Sequence, residues 1–310
     1  MKYIDELLEK HQVRKSAAQK EAFRSWAREK CQGLGYACRE DAHGKKGQTV
    51  NLIAGDPEKA DIVFTAHYDT CSRSPMPNMI FPKNILFTLL AQMPLILMML
   101  VPSIGVGLLM EKWTGDTNFY MLGFMVVYFG LFFLLLRGPA NQHTANDNSS
   151  GTAALLQIME MLPEERRNRA AFIFFDDEEK GKVGSKAYAK ANPEQKKDKL
   201  IFNLDCIGDG EHVLVVAPKK ADAGLTGRLS AAFRDEGPYR AVHCSARDTA
   251  YNSDQRSFDR GVAVSACHKN VFGYFVPRIH TSRDRICCQE NLDYVCRGAV
   301  ALLEKVTDAE

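Results

Sequence analysis

The sequence predicts an α/β fold: a mixed, mostly parallel central sheet between helix layers, with a hydrophobic helical hairpin inserted into it. Three observations lead there. Short runs rich in Val, Ile and Phe alternate with segments of helical periodicity, the pattern of a sheet layered by helices. The composition is globular, 45% hydrophobic and 25% charged over 310 residues, enough for one large domain or two small ones. Two long charge-free stretches then interrupt the pattern between residues 85 and 136.

In chain order, residues 3–35 read as helical. Ile4, Leu7 and Leu8 share a face, Ser16 can cap a second helix, and Gly33 and Gly35 can stop it. Thr49 to Ala54 and Asp61 to Ala66 fit a strand, a turn at Gly55-Asp56-Pro57 and a second strand that ends in His67-Tyr68-Asp69. Ser149 to Leu162 is a helix pattern stopped by Pro163, and Ala170 to Phe175 is a continuous apolar strand. Val183 to Ala191 reads as a short helix, Leu200 to Leu204 and His212 to Ala217 as strands, and Leu292 to Val306 as a closing helix.

Ile85 to Met110 and Phe119 to Leu136 carry no charged residue, and the polar stretch Glu111 to Asn118 separates them. Each is long enough to cross a hydrocarbon layer of about 30 Å as a helix, with Trp113, Tyr120 and Tyr128 in or near the spans. Pro94 and Pro102 are compatible with transmembrane helices. The expected organisation is one domain in two parts, 1–84 and 137–310, around a transmembrane hairpin at 85–136. A pair of buried core helices or a dimerisation arm is the alternative.

A formal net charge of +2 gives no basic field of the kind that gathers nucleic acid. Nine cysteines without CxxC spacing point to free thiols in a reducing compartment rather than a cysteine-rich zinc site. Cys206, beside Asp205, and Cys267-His268 are read as inert. The N-terminal stretch MKYIDELLEKHQVRK lacks the apolar core of a secretory signal, so it reads as the start of mature protein.

Acids and histidines fall where strands end, the place where α/β folds build sites. They are His67 and Asp69, Asp147, the run Asp176 to Glu179, Asp205, and His280 in a polar loop. Singly, each has a plain explanation: a surface turn, a helix cap or a solvated helix start. Together they come with Ala66-His67-Tyr68-Asp69-Thr70, Asp147-Asn148-Ser149-Ser150-Gly151, and Glu178-Glu179-Lys180-Gly181-Lys182-Val183-Gly184-Ser185. Asn203-Leu204-Asp205, Ser253-Asp254 with Phe258, and His280-Thr281 follow in order.

In these six pieces the chain resembles the di-zinc metallopeptidase family that contains bacterial leucyl aminopeptidases, glutamate carboxypeptidases and glutaminyl cyclases. The likeness covers nearly all of the chain outside residues 72–140. It implies that Asp147 bridges two zinc ions, with His67 and Asp205 completing one and Glu179 and His280 the other. It also implies Glu178 as general base and Asp69 as the partner that orients His67. The chemistry agrees, because zinc accepts imidazole nitrogen and carboxylate oxygen, and a free carboxylate beside it can shuttle a proton. Peptide hydrolysis, most simply by an aminopeptidase, is the expected activity. Glutaminyl cyclase activity, carboxypeptidase activity through Arg247, Arg256, Arg278 or Arg283, and a non-catalytic receptor or scaffold role stay open as rivals.

Because the hairpin separates His67 from the other ligands, the chain must cross a bilayer twice or not at all. Arg73, Lys83 and Arg137 flank the catalytic side against Lys112 in the connecting loop, which places catalysis on the cytoplasmic side. Membrane-derived or imported peptides are the expected substrates.

Overall fold

A computed structural model describes residues 2–44 and 47–307. Helices α1 (Lys2–Lys10) and α2 (Ala17–Gly33) open the chain. Ser16 caps α2 by accepting the Gln19 N–H while the Gln19 side chain returns the bond to the Ser16 N–H. Strands β1 (Cys38–His43), β2 (Thr49–Ala54), β3 (Ile62–His67) and the short β4 (Met79–Ile80) follow. Then come α3 (Ile85–Thr114), α4 (Thr117–Arg137), α5 (Gly151–Met161), β5 (Ala170–Phe175), α6 (Val183–Ala191), α7 (Pro193–Asp198) and β6 (Leu200–Leu204). The chain ends with β7 (His212–Ala217), α8 (Ala223–Ala232), β8 (Arg240–Ser245), β9 (Gly261–Asn270), β10 (Gly273–Pro277) and α9 (Gln289–Thr307).

The strands form one sheet whose central run, β5-β3-β6-β9, is parallel. Antiparallel β2 and β1 extend it on one side, and antiparallel β7, β10 and β4 join at the other. Alternation sorts its side chains to two faces. Ala170, Phe172 and Phe174 of β5 pack with α1, α2, α5, α8 and α9, whereas Ala171, Ile173 and Phe175 pack with Tyr188 and Ala189 of α6. Being covered on both faces, β3, β5 and β6 are buried along their whole lengths, which is why they read as continuous apolar runs.

Both strands expected at 49–66 are present, as β2 and β3, and β5 enters between them in the sheet. Strand β1 escapes prediction because Arg39, Glu40 and Asp41 mark it as polar, the usual dress of an exposed edge. The helix expected from Ser149 starts at Gly151, since residues 145–150 form an irregular turn.

Helices α3 and α4 pack antiparallel through small residues: a Cβ at Gly107 would lie 2.9 Å from the Tyr120 carbonyl oxygen, and one at Gly123 would lie 2.7 Å from the Met110 sulfur. Gly115, at φ 72°, ends α3, and Asp116 caps α4. The outward surface of the pair is apolar and open, with Val101, Leu109 and Val126 each more than 60% exposed.

Candidate metal centre

Three of the gathered segments leave carboxyl ends of the parallel strands. Strand β3 ends in His67, and its continuation carries Asp69; β5 runs into Asp176 to Glu179; β6 runs into Asp205. The turn before α5 supplies Asp147, and the loop after β10 supplies His280. Nε2 of His67 lies 3.3 Å from Oδ1 of Asp147 and 3.8 Å from Oδ1 of Asp205. Nε2 of His280 lies 2.9 Å from Oδ2 of Asp147 and 3.3 Å from Oε2 of Glu179. The two oxygens of Asp147 thus face two different histidines, each with its own further carboxylate. All five residues expected as metal ligands meet here.

Side chains remote in sequence hold this arrangement. Buried Asp69 accepts the backbone N–H groups of Glu178 (2.9 Å) and Glu179 (3.2 Å), and its Oδ1 lies 3.5 Å from Nδ1 of His67. The carboxylate thus fixes the glutamate turn, while Nδ1 of His67 hydrogen-bonds the Asp69 backbone carbonyl (3.2 Å). Asp284 accepts the N–H groups of Asn146 (2.8 Å) and Asp147 (3.0 Å). Asn148 ties the same turn to β6 through the Leu204 carbonyl and the Gly151 and Cys206 N–H groups. A Cβ at Gly151 would approach the Leu204 oxygen to 2.4 Å, so that contact requires glycine. Fully buried Arg14 donates to the Tyr68 carbonyl and to Ser149 Oγ, joining the His67 and Asp147 segments. Lys20, paired with Asp176 and Asp177, anchors the start of the glutamate turn. Asp177, Cys206 and His280 all have positive φ, so the backbone is strained next to the converging side chains.

The electrostatics ask for a cation. Burial, reinforced by the Asp147 charge, raises Glu179 to about 7. Burial likewise lifts Asp254 to about 7 and Asp284 to about 8, and pushes Glu178 well above the carboxylate range. Burial opposes the His280 cation, yet the Glu179 and Asp147 charges outweigh it and bring its pKa to about 10. Glu179 Oε1, Asp205 Oδ1 and both Asp254 oxygens are buried without a hydrogen-bond partner. Orphaned carboxylate oxygens beside two imidazoles are donors of the kind zinc accepts.

A cavity of about 260 Å³ opens onto Glu179, His280, Asp69 and Cys71. Gln92 and Leu95 of α3 and Leu135 and Leu136 of α4 form its opposite wall. A larger depression of about 900 Å³ lies at the other end of β3 and β6 and holds no histidine or cysteine.

The family description Peptidase family M28 matches residues 130–296. The chain belongs to peptidase family M28. Several solved structures share its fold. A Zn-dependent exopeptidase from Parabacteroides distasonis superposes with a TM-score of 0.62 at 16% identity, covering 97% of this chain and 95% of that one. A glutaminyl cyclase from Porphyromonas gingivalis gives 0.60 at 17% identity, with 97% and 95% covered. An aminopeptidase from Legionella pneumophila gives 0.57 at 15%, covering 98% of this chain and 69% of that one. No curated protein matches the chain in sequence.

Within this M28 chain, sequence reasoning overlooked Asp284, Arg14 and the part hairpin residues take in the cavity wall. Asp284 had a faint signal, an acid four residues past His280. Arg14 had none, because its partners lie 54 and 135 residues away. The arginines considered for a substrate carboxylate are placed elsewhere. Arg256 is spent on the Tyr251, Ala246 and Thr249 carbonyls, Arg278 pairs with Asp209, and none of the four lines the cavity. Lys15 does line it, donating to Gly138 O (2.6 Å) and Ser72 Oγ, with no carboxylate in ion-pair distance among the described residues.

Proposed function

We propose that this M28 peptidase is a membrane-held zinc exopeptidase, in the first instance an aminopeptidase, built as a catalytic domain in two parts, 1–84 and 137–310, around the hairpin. The observation that carries this reading is the placement of the two Asp147 oxygens toward His67 and His280. His67, Asp147 and Asp205 would hold one zinc ion, and Asp147, Glu179 and His280 a second. Bound there, zinc would lower the pKa of a water and polarise the scissile carbonyl.

The chain's own residues do the rest. Glu178 takes the proton of the attacking water and delivers it to the departing amine, and burial raises its affinity for that proton. Asp69 keeps Glu178 and Glu179 apart in direction by holding their adjacent N–H groups, so one carboxylate shuttles while the other binds. A cavity of about 260 Å³ suits an end residue of a peptide better than an extended chain, which favours exopeptidase action.

Exposed apolar surface on α3 and α4 supports a bilayer around them. Gln92 of α3 bonds Asn78, the Leu136 carbonyl of α4 accepts from Ser72, and the cavity wall extends to Leu95 and Leu135. What remains free is about 28 Å of α3 and about 27 Å of α4 at 1.5 Å per residue, close to the thickness of a hydrocarbon layer. The cavity then sits at the membrane surface, suited to peptides released from or passing the bilayer. The three basic residues Arg73, Lys83 and Arg137 favour the cytoplasmic face.

Lys15 supports a second reading, carboxypeptidase action, because an ammonium without a carboxylate partner among the described residues suits a peptide's terminal carboxylate. Zinc-loaded protein incubated with peptides blocked at either end, and with a peptide that begins with glutamine, separates the activities by product mass. Aminopeptidase action requires loss of the first residue from C-terminally blocked peptides only. Cyclisation of the glutamine peptide alone, or no product at all, would overturn the proposal.

A further inference from the structure

Cys71 lies two residues beyond Asp69 and is 8% exposed. It borders the cavity together with Glu179 and His280. One donor atom of each of these three residues lies within 4.8 Å of the others. The Cys71 backbone is held in place: its carbonyl accepts the Asn141 N–H (3.1 Å), Thr70 N–H donates to the Arg14 carbonyl (3.2 Å), and Arg73 N–H to the Pro139 carbonyl (2.9 Å). The sulfur is therefore presented to this half of the site by the fold. The other half, His67, Asp147 and Asp205, forms a separate group of donor atoms without a thiol.

We propose that the Cys71 sulfur is a fourth protein ligand, beside Asp147, Glu179 and His280, of the metal ion at that position. The inference rests on the reading of those three residues as ligands. It makes the two positions unequal. Four protein donors close a zinc ion in the manner of structural sites, whereas three leave a place for water as in catalytic sites. The ion at His67, Asp147 and Asp205 then has one protein donor fewer, and the Cys71 ion is the more tightly held of the two. A thiolate also makes its position softer, favouring zinc or cadmium over manganese or magnesium. On binding, the sulfur–hydrogen bond gives way to a sulfur–metal bond and the proton passes to solvent, so no oxidant or reductant is needed.

Cobalt(II) reconstitution of the full-length protein in detergent tests this without reference to activity. The expected result is a sulfur-to-cobalt charge-transfer band in the near ultraviolet, lost in Cys71→Ser while the visible cobalt bands remain. Cobalt bound with visible bands but no near-ultraviolet band in the unaltered protein would overturn the thiolate ligand and leave the rest of the ligand set standing. Failure to bind cobalt at all would remove the ligand set and the proposal together. A second measurement avoids the variant altogether. Zinc should protect Cys71 of the unaltered protein from iodoacetamide, read by peptide mapping, while exposed Cys288 stays reactive. Equal labelling of Cys71 with and without zinc would count against the proposal.

Discussion

Asp69 is the most exacting position at which to test the site, because one buried carboxylate serves three groups. It accepts two backbone N–H groups, those of Glu178 and Glu179, and faces the far nitrogen of His67. Asp69→Ala leaves both N–H groups buried and unpaired. Hydrogen bonds to a charged acceptor contribute about 1.5–3 kcal/mol each, so the loss from the two is about 3–6 kcal/mol. Asp69→Asn keeps the shape and one acceptor oxygen but turns an NH₂ group toward the second donor, and should lose about half of that. Nδ1 of His67 keeps its bond to the Asp69 backbone carbonyl (3.2 Å) but loses the facing charge, so zinc affinity should fall about tenfold in the asparagine variant. Thermal unfolding of the metal-free proteins should rank them Asp, Asn, Ala. Zinc titration against a chromophoric chelator gives the affinities, and turnover of the best peptide should fall beyond what lost zinc accounts for, since Glu178 is also displaced. An asparagine variant with unaltered zinc affinity and turnover would refute the assignment of Asp69 as the residue that positions both the imidazole and the shuttle.

Glu178→Gln should lower kcat by about 10²–10⁴-fold with zinc content unchanged, measured on metal-analysed protein; a loss of zinc instead would make Glu178 a ligand. Apparent zinc affinity should fall as pH falls, by about tenfold per unit for each proton displaced, because the metal-free site holds protons on His280, with a pKa of about 10, and on Glu179, at about 7. Calorimetry in buffers of different ionisation heat reads that proton release directly. Gly107→Leu should separate α3 from α4 at their closest approach and lower the melting temperature in detergent, an overpacking cost of about 1–3 kcal/mol, while zinc binding by the catalytic part persists. Alkaline carbonate should leave the chain in the membrane pellet; its release to the supernatant would argue against spanning helices.

Much of the fold was legible because burial on both faces writes a strand as an uninterrupted apolar run. Residues 170–175, 200–204 and 212–217 are strands with the boundaries the sequence suggested. Polar edges were not legible, as β1 shows, and neither was strand order, since nothing local tells β2 and β3 that β5 comes between them.

For the site, sequence alone picked out the side chains that gather, because metal-binding residue types in a fixed order leave a local record: His67 and Asp69 after one strand, the glutamate pair after another, Asp205 after a third. Tertiary structure alone decided how they meet. It turned the two oxygens of Asp147 toward different histidines, brought in Asp284 and Arg14 from distant segments, set Cys71 against one half of the centre, and made the base of the apolar hairpin a wall of the cavity. The physical reason is range. Periodicity and motif record contacts within a few residues, whereas a cavity and its charge balance are sums over segments that become neighbours only when the sheet is assembled.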